Sequence, residues 1–385
     1  MINHLSKKAL ALATLAFLAA APAYAQRIQL ETNVESAIYE PGRRIVFYAT
    51  AEDLETEVVR VKAWKDNNEL MLDADVPVTE GRFIAFETEL AEPCSLIVEA
   101  SSGETKDTLG AVVDPLELLP GFKRPKDFDR FWKKEKKQLA KLPFEVAMDP
   151  IELGASDAGY VAFDVEINSP GPRPARAIFA KPANAAKGSL PIVLNLHAAG
   201  VKGDWCRAHT SEAVRLAQSG NGALSFDLNA HGMLNHEPES YYEELENGPL
   251  KQYWEIGIES RDDYYFKYMY LRILRSIEWL TRQPEWDGKR ILVIGESQGG
   301  GQALAAAGLD PRVSAAVATV PAMCDFGAPL VDRKGVWPQP LDWHPDNEKI
   351  RETVVYFDAA HLLKGSKAEL VVEIGFIDQT CPSTS

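Results

Sequence analysis

Ile291-Leu292-Val293-Ile294-Gly295-Glu296-Ser297-Gln298-Gly299-Gly300-Gly301 is a buried-type apolar run that ends in a G-x-S-x-G string. By itself the string is a weak signal. Its setting makes it informative, because the apolar run reads as a strand and residues 298–308 read as a helix. A strand that turns sharply into a helix at a serine lifts the hydroxyl out of the fold. Gly295 and Gly299 leave room for neighbouring backbone, and the extra glycines cost helix stability unless something packs tightly against them. Ser297 is therefore the candidate nucleophile. The start of the helix turns unpaired N–H groups and positive dipole toward it.

Segments on both sides alternate in the same way. Extended stretches near 144–153, 159–167 and 175–181 lead to an apolar run at 191–196. A helix (210–218), a strand (223–228), a long helix (262–283) and a strand (290–294) follow. The helix at 298–308 and strands at 313–320 and 370–374 complete the series. Such alternation predicts an α/β fold with a doubly wound, mostly parallel sheet of the α/β-hydrolase kind. Ligands in these sheets sit beyond the carboxyl ends of the strands. His197-Ala198-Ala199-Gly200 follows one such strand and takes the place of the second oxyanion-donor loop. The predicted donors are the N–H groups of Gln298 and Ala199.

In this fold the acid follows the nucleophile in the chain, and a histidine follows the acid. Asp378 lies on the loop after strand 370–374 and is the candidate acid, whereas Asp325 falls one strand early and reads as a packing residue. No histidine follows His361. His197 and His231 read as loop-shaping residues and His361 as structural. We therefore expect the chain to be C-terminally truncated, with the general base beyond residue 385 and the fragment inactive. The histidines have no HxH or HExxH spacing and the cysteines no CxxC pairing, so neither a metal nor a cofactor is expected.

Residues 27–113 show no helical period. Stretches at 44–50, 57–64, 82–89 and 95–100 alternate apolar and polar residues between turn signals such as Asp66-Asn67-Asn68. They predict a small all-β sandwich of immunoglobulin-like size. Pro115, Pro120 and Pro125 punctuate a connector, and Phe128, Phe131, Trp132 and Leu139 then recur at helical spacing. The expected organisation is a leader at 1–25, a sandwich at 26–119 and a hydrolase domain at 120–385.

The leader reading rests on Lys7-Lys8, the apolar stretch Ala9–Ala20 and the small-x-small site Ala23-Tyr24-Ala25. It implies an exported protein, periplasmic or secreted, with no membrane attachment after cleavage. Removing residues 1–25 deletes two lysines and no acids, which moves the formal charge from −15 to −17. A chain that acidic is a poor partner for nucleic acid. Four cysteines (Cys94, Cys206, Cys324 and Cys381) allow several pairings, and free buried thiols are the simplest reading.

From about Pro125 onward the chain resembles the acetyl xylan esterases and cephalosporin-C deacetylases of carbohydrate esterase family 7. The resemblance lies in Arg124–Trp132, Asp262-Asp263-Tyr264-Tyr265-Phe266, Gly295–Gly301 and Leu309-Asp310-Pro311-Arg312-Val313. It continues in Pro321–Phe326, Tyr356–Ala360 and Gly375-Phe376-Ile377-Asp378-Gln379-Thr380-Cys381-Pro382. The Ser-Gln-Gly-Gly form and the Asp-x-x-Cys-Pro loop are specific in combination. Asn229-Ala230-His231-Gly232 resembles exported bacterial members that carry an N-terminal sandwich.

The resemblance implies that Ser297 and Asp378 match the family's nucleophile and acid, and that the substrate is an acetylated carbohydrate or other small acetyl ester. It also implies a homo-oligomer, since the family is often hexameric. Where the family commonly has Gly-Tyr this chain has Ala198-Ala199, and His361 stands where the family often has Asn. The alternatives are a broader carboxylesterase or peptidase on the same fold, and a carbohydrate-binding protein with a lapsed hydrolase domain.

Overall fold

Alternating side chains force residues 27–113 into strands with one apolar face each. The computed structural model describes residues 26–385, and the leader expected over 1–25 lies outside them. Eight strands fill the N-terminal part: β1 (Arg27–Thr32), β2 (Ile38–Tyr39), β3 (Arg44–Glu52) and β4 (Val58–Lys65), then β5 (Glu69–Pro77), β6 (Phe83–Glu89), β7 (Cys94–Ser102) and β8 (Thr105–Val113). They form a sheet ordered β1-β3-β6 and a second ordered β2-β8-β7-β4-β5. In β4 the inward residues Val59, Val61 and Ala63 are fully buried, and with Ile45, Phe47, Leu96 and Val98 they share one apolar core. Burial of alternate residues fixes the register, since a one-residue slip would turn this set outward.

After the connector, α1 (Phe128–Leu139) buries Phe128, Phe131, Trp132 and Leu139 and opens the larger part of the chain. There, β9 (Val146–Ile151), β10 (Tyr160–Ile167) and β11 (Ala175–Pro182) form an antiparallel flank. The remaining strands are β12 (Leu190–Leu196), β13 (Leu224–Asn229), β14 (Trp286–Glu296), β15 (Ala315–Thr319) and β16 (Glu369–Glu373). The eight run in the order β16-β15-β14-β12-β13-β11-β10-β9, with parallel pairing from β16 through β13. This is the mixed α/β architecture expected, with a large and mostly parallel sheet.

The helices of this part are α2 (Thr210–Ala217), α3 (Glu239–Asn247), α4 (Tyr265–Leu280) and α5 (Gln298–Leu309), followed by the short α6 (Pro340–Trp343), α7 (Glu348–Val354) and α8 (Ala359–Leu362). The chain leaves β12 for β13 on one side and returns to β14 on the other, so strand order reverses at β12. A crevice opens at the carboxyl ends of strands on either side of such a reversal. Register pairs Leu196 with Gly295, which brings the loop after β12 alongside the turn after β14. Among the described residues no helix is long and apolar enough to cross a membrane.

Candidate active site

Ser297 has φ +52° and ψ −116°, a conformation that L-residues rarely adopt and that is held only by its surroundings. Its N–H donates to the Thr319 carbonyl at 2.9 Å. Its own carbonyl accepts from the N–H groups of Gly301 (3.0 Å) and Ala322 (2.9 Å). The flanking glycines are demanded by chain crossings. A Cβ on Gly295 would lie 2.3 Å from the Gly299 carbonyl oxygen, and one on Gly299 would lie 2.2 Å from that of Leu196. Ser297 is half-buried at the start of α5.

Gln298, the first residue of α5, is fully buried, and its Oε1 accepts from the Tyr253 hydroxyl at 2.6 Å. An N–H at this position has no carbonyl of its own helix to bond. Opposite it runs the loop 197–200, braced on both sides. The His197 ring contacts Asp227 Oδ1 at 2.6 Å, while Asp227 also accepts from Asn195 Nδ2 and from the His209 N–H, both at 2.8 Å. Burial works to lower the His197 pKa, but the Asp227 carboxylate outweighs it and the net shift is upward. His231 supports the loop from the other side. Burial, helped by the Arg272 charge, holds its pKa down at about 3. The neutral ring thus donates from Nε2 to the Gly200 carbonyl and accepts at Nδ1 from the Tyr265 hydroxyl, each at 3.0 Å. The Ala199 carbonyl accepts from Trp205 Nε1 at 3.1 Å. Among the described residues the Ala199 N–H donates to nothing.

Asp378 sits on the loop after β16. Its Oδ1 accepts from the N–H groups of Thr380 (2.7 Å) and Cys381 (2.8 Å), which fixes the carboxylate on its own turn. Its Oδ2 carries no hydrogen bond among the described residues. Burial and the neighbouring Asp378 charge push the Cys381 thiol up to about 11, with the nearby Ser297 side chain acting to lower it. Cys381 therefore brings the loop of Asp378 near Ser297. Sequence reading had placed it in a motif without a contact. All four cysteines are free and buried.

The other sequence candidates go elsewhere. Asp325 forms a buried ion pair with Arg333 at 2.7 Å, consistent with a packing role. His209 bonds the Asp204 carbonyl, His344 bonds Glu255, and His236 lies beside Thr210. His361 is buried, its pKa lowered to about 4 by burial and the nearby Arg124 charge. None of the six described histidines bonds Ser297 or Asp378. Tyr253 was not singled out in the sequence, and no local pattern marks it.

The chain is similar to known proteins. The family model described as Acetyl xylan esterase (AXE1) covers residues 116–385. The acetyl esterase Axe7A of Xylanibacter ruminicola is 32% identical over 280 residues, which are 70% of this chain and 61% of that protein. The chain thus spans under two thirds of that relative's length. Among solved structures, the acetyl xylan esterase from Paenibacillus sp. R4 has a TM-score of 0.57 at 26% identity, covering 70% of this chain and 85% of its own. Acetyl xylan esterase 1 from Thermoanaerobacterium sp. JW/SL YS485 shares the fold, with a TM-score of 0.53 at 22% identity over 69% of this chain and 84% of its own. Matched by that family's model over residues 116–385, the chain belongs to the acetyl xylan esterase family.

Proposed function

We propose that the protein is a serine esterase that removes acetyl groups from carbohydrates such as acetylated xylan or xylo-oligosaccharides. The observation that carries this reading is the strained backbone of Ser297 at the start of α5, at the strand-order reversal where the loop after β12 runs alongside the turn after β14. In the reaction, Ser297 Oγ attacks the acetyl carbonyl carbon and its proton passes to a histidine. The oxyanion is held by the N–H groups of Gln298 and Ala199, and Asp378 orients the imidazole. The sugar hydroxyl leaves with the proton. Water then attacks the acetyl-enzyme, releasing acetate and restoring Ser297. The described histidines all have other surroundings, so this reading assigns the base to none of them.

A cavity of about 530 Å³ supports a carbohydrate substrate. Trp254, Trp337 and Trp343 line it together with Gln252, Glu255 and Gln339, so that apolar faces alternate with hydrogen-bonding groups. The Trp337 N–H donates to the Thr380 carbonyl at 2.9 Å, which ties the cavity wall to the loop of Asp378. We also read residues 26–119 as an immunoglobulin-like sandwich, residues 120–385 as the hydrolase domain, and residues 1–25 as an export leader.

The test measures acetate release from acetylated xylo-oligosaccharides and from p-nitrophenyl acetate by the full-length protein and its Ser297→Ala variant. We expect loss of the serine to cost on the order of 10⁶-fold in kcat, the scale seen when a triad serine is removed from subtilisin. Equal rates for the two proteins would end the esterase reading.

A further inference from the structure

The N-terminal sandwich touches the loop of Asp378 directly. The β4–β5 hairpin turns at Lys65-Asp66-Asn67-Asn68, where the Asn68 N–H donates to the Lys65 carbonyl at 3.0 Å. Asp66 (φ +54°) and Asn67 (φ +57°) are both left-handed, the geometry of a tight hairpin and one that Asp and Asn tolerate. This turn faces protein. The Asp66 carbonyl accepts from the Lys334 N–H at 3.1 Å, and Asn68 Nδ2 donates to the Asp332 carbonyl at 2.9 Å. Between them, Asn67 Nδ2 donates to the carbonyl of Asp378 at 2.9 Å, while its Oδ1 accepts from the Ser95 hydroxyl at 3.4 Å.

A second contact holds the same loop two residues earlier. Gly110 of β8 lies flat on Phe376, where a Cβ would come within 2.5 Å of the Phe376 carbonyl oxygen. The Phe376 ring packs against the sandwich core. The loop gains less from its own sheet, since β16 is at the sheet edge and exposed along its whole length. Ile377, Gln379 and Thr380 are exposed as well.

We infer that Asn67 is a positioning residue for the esterase reaction, through which the sandwich fixes the peptide of Asp378 and so aims its carboxylate. The inference rests on reading Asp378 as the triad acid. Displacing a catalytic group by about 1 Å can cost 10²-fold, and crippling a triad Asp costs about 10⁴-fold. Losing one of several tethers falls below both.

The experiment uses the full-length protein. Asn67→Gly keeps the left-handed turn and removes the amide. Asn67→Asp keeps the turn and the side-chain size but sets a carboxylate against the Asp378 carbonyl. In Asn67→Gly we expect kcat on acetylated xylo-oligosaccharides to fall about 10-fold with KM unchanged. The acidic limb of the kcat/KM profile should move to lower pH, because an imidazolium with a misaligned carboxylate partner loses its proton more easily. Asn67→Asp should be impaired at least as much. Asn68→Gly, in the same turn, should match wild type, and Asn67→Gly should add nothing to Asp378→Ala. If Asp378→Ala is inactive while Asn67→Gly and Asn67→Asp keep the wild-type kcat and pH profile, this inference alone is overturned. If Asp378→Ala keeps the wild-type kcat, the acid assignment fails and Asn67 has nothing to position.

Discussion

Gly299 shows how little freedom the serine's surroundings have. The nearest atoms to an added Cβ are the backbone oxygens of Leu196 at 2.2 Å and His197 at 2.9 Å, so no side chain can swing away to make room. Gly299→Ala should destabilise the fold by about 1–3 kcal/mol, as other overpacked sites do. It should also push the 197–200 loop off Ser297. We expect acetate release by the full-length protein to fall further than its urea midpoint would explain. His197 carries a second prediction. Its folded-state pKa is raised, so its contribution to stability is fully present below its unfolded value of about 6.5. That contribution is lost as pH climbs through the raised folded value. The gap in urea midpoint between wild type and His197→Gln should therefore be widest near about pH 5.5 and narrow toward about pH 9. A gap that widens with pH would mean that the ring folds neutral.

At the level of elements, α4 is buried on nearly every side, and its charged residues do structural work. Arg275 is fully buried. Its Nε donates to the Asn168 carbonyl at 2.9 Å and its Nη2 to the carbonyls of Pro143 (2.7 Å) and Leu142 (3.1 Å), joining α4 to the segments around β9 and β10. Arg275→Met would take the donor from the half-buried Asn168 and Leu142 carbonyls and leave Pro143 to Asn168 Nδ2 alone, and we expect a loss of about 1–3 kcal/mol by chemical denaturation. The strands from β12 to β15 were legible within a few residues because buried strands write continuous apolar runs, and β16, though exposed, carries the apolar run Leu370-Val371-Val372. The long helix is Tyr265–Leu280 rather than 262–283, because Asp263 is held in a turn by the Ser260 hydroxyl at 2.8 Å. The nine-residue α3 was missed. It buries only Tyr242 and Leu245, too few to write a helical stripe. Ser297 and Asp378 were legible as candidates because each follows a strand in a local pattern. The contact of Asn67 with Asp378 spans 311 residues, and no local pattern encodes it.

Over the whole molecule, two apolar clusters account for most of the interior, one within residues 28–113 and one beginning at Phe128. A core enclosed by its own two sheets has what it needs to fold alone. We predict that residues 26–119 expressed alone unfold cooperatively in urea, with the surface vacated by Phe376 as their main new exposure. A broad, non-cooperative transition would mean that the sandwich depends on the rest of the chain.

The glycines of α5 also bear on the order of assembly. Gly299, Gly300, Gly301 and Gly308 make up a third of this twelve-residue helix. Each costs close to 1 kcal/mol relative to alanine, so the segment has little tendency to coil before β12, β15 and α8 are there to receive it. We predict that the turn at Ser297 forms after the rate-limiting barrier to folding. Ala305→Gly should speed unfolding while leaving refolding close to wild type. On that order the sheet is largely formed before the backbone at Ser297 takes its strained shape.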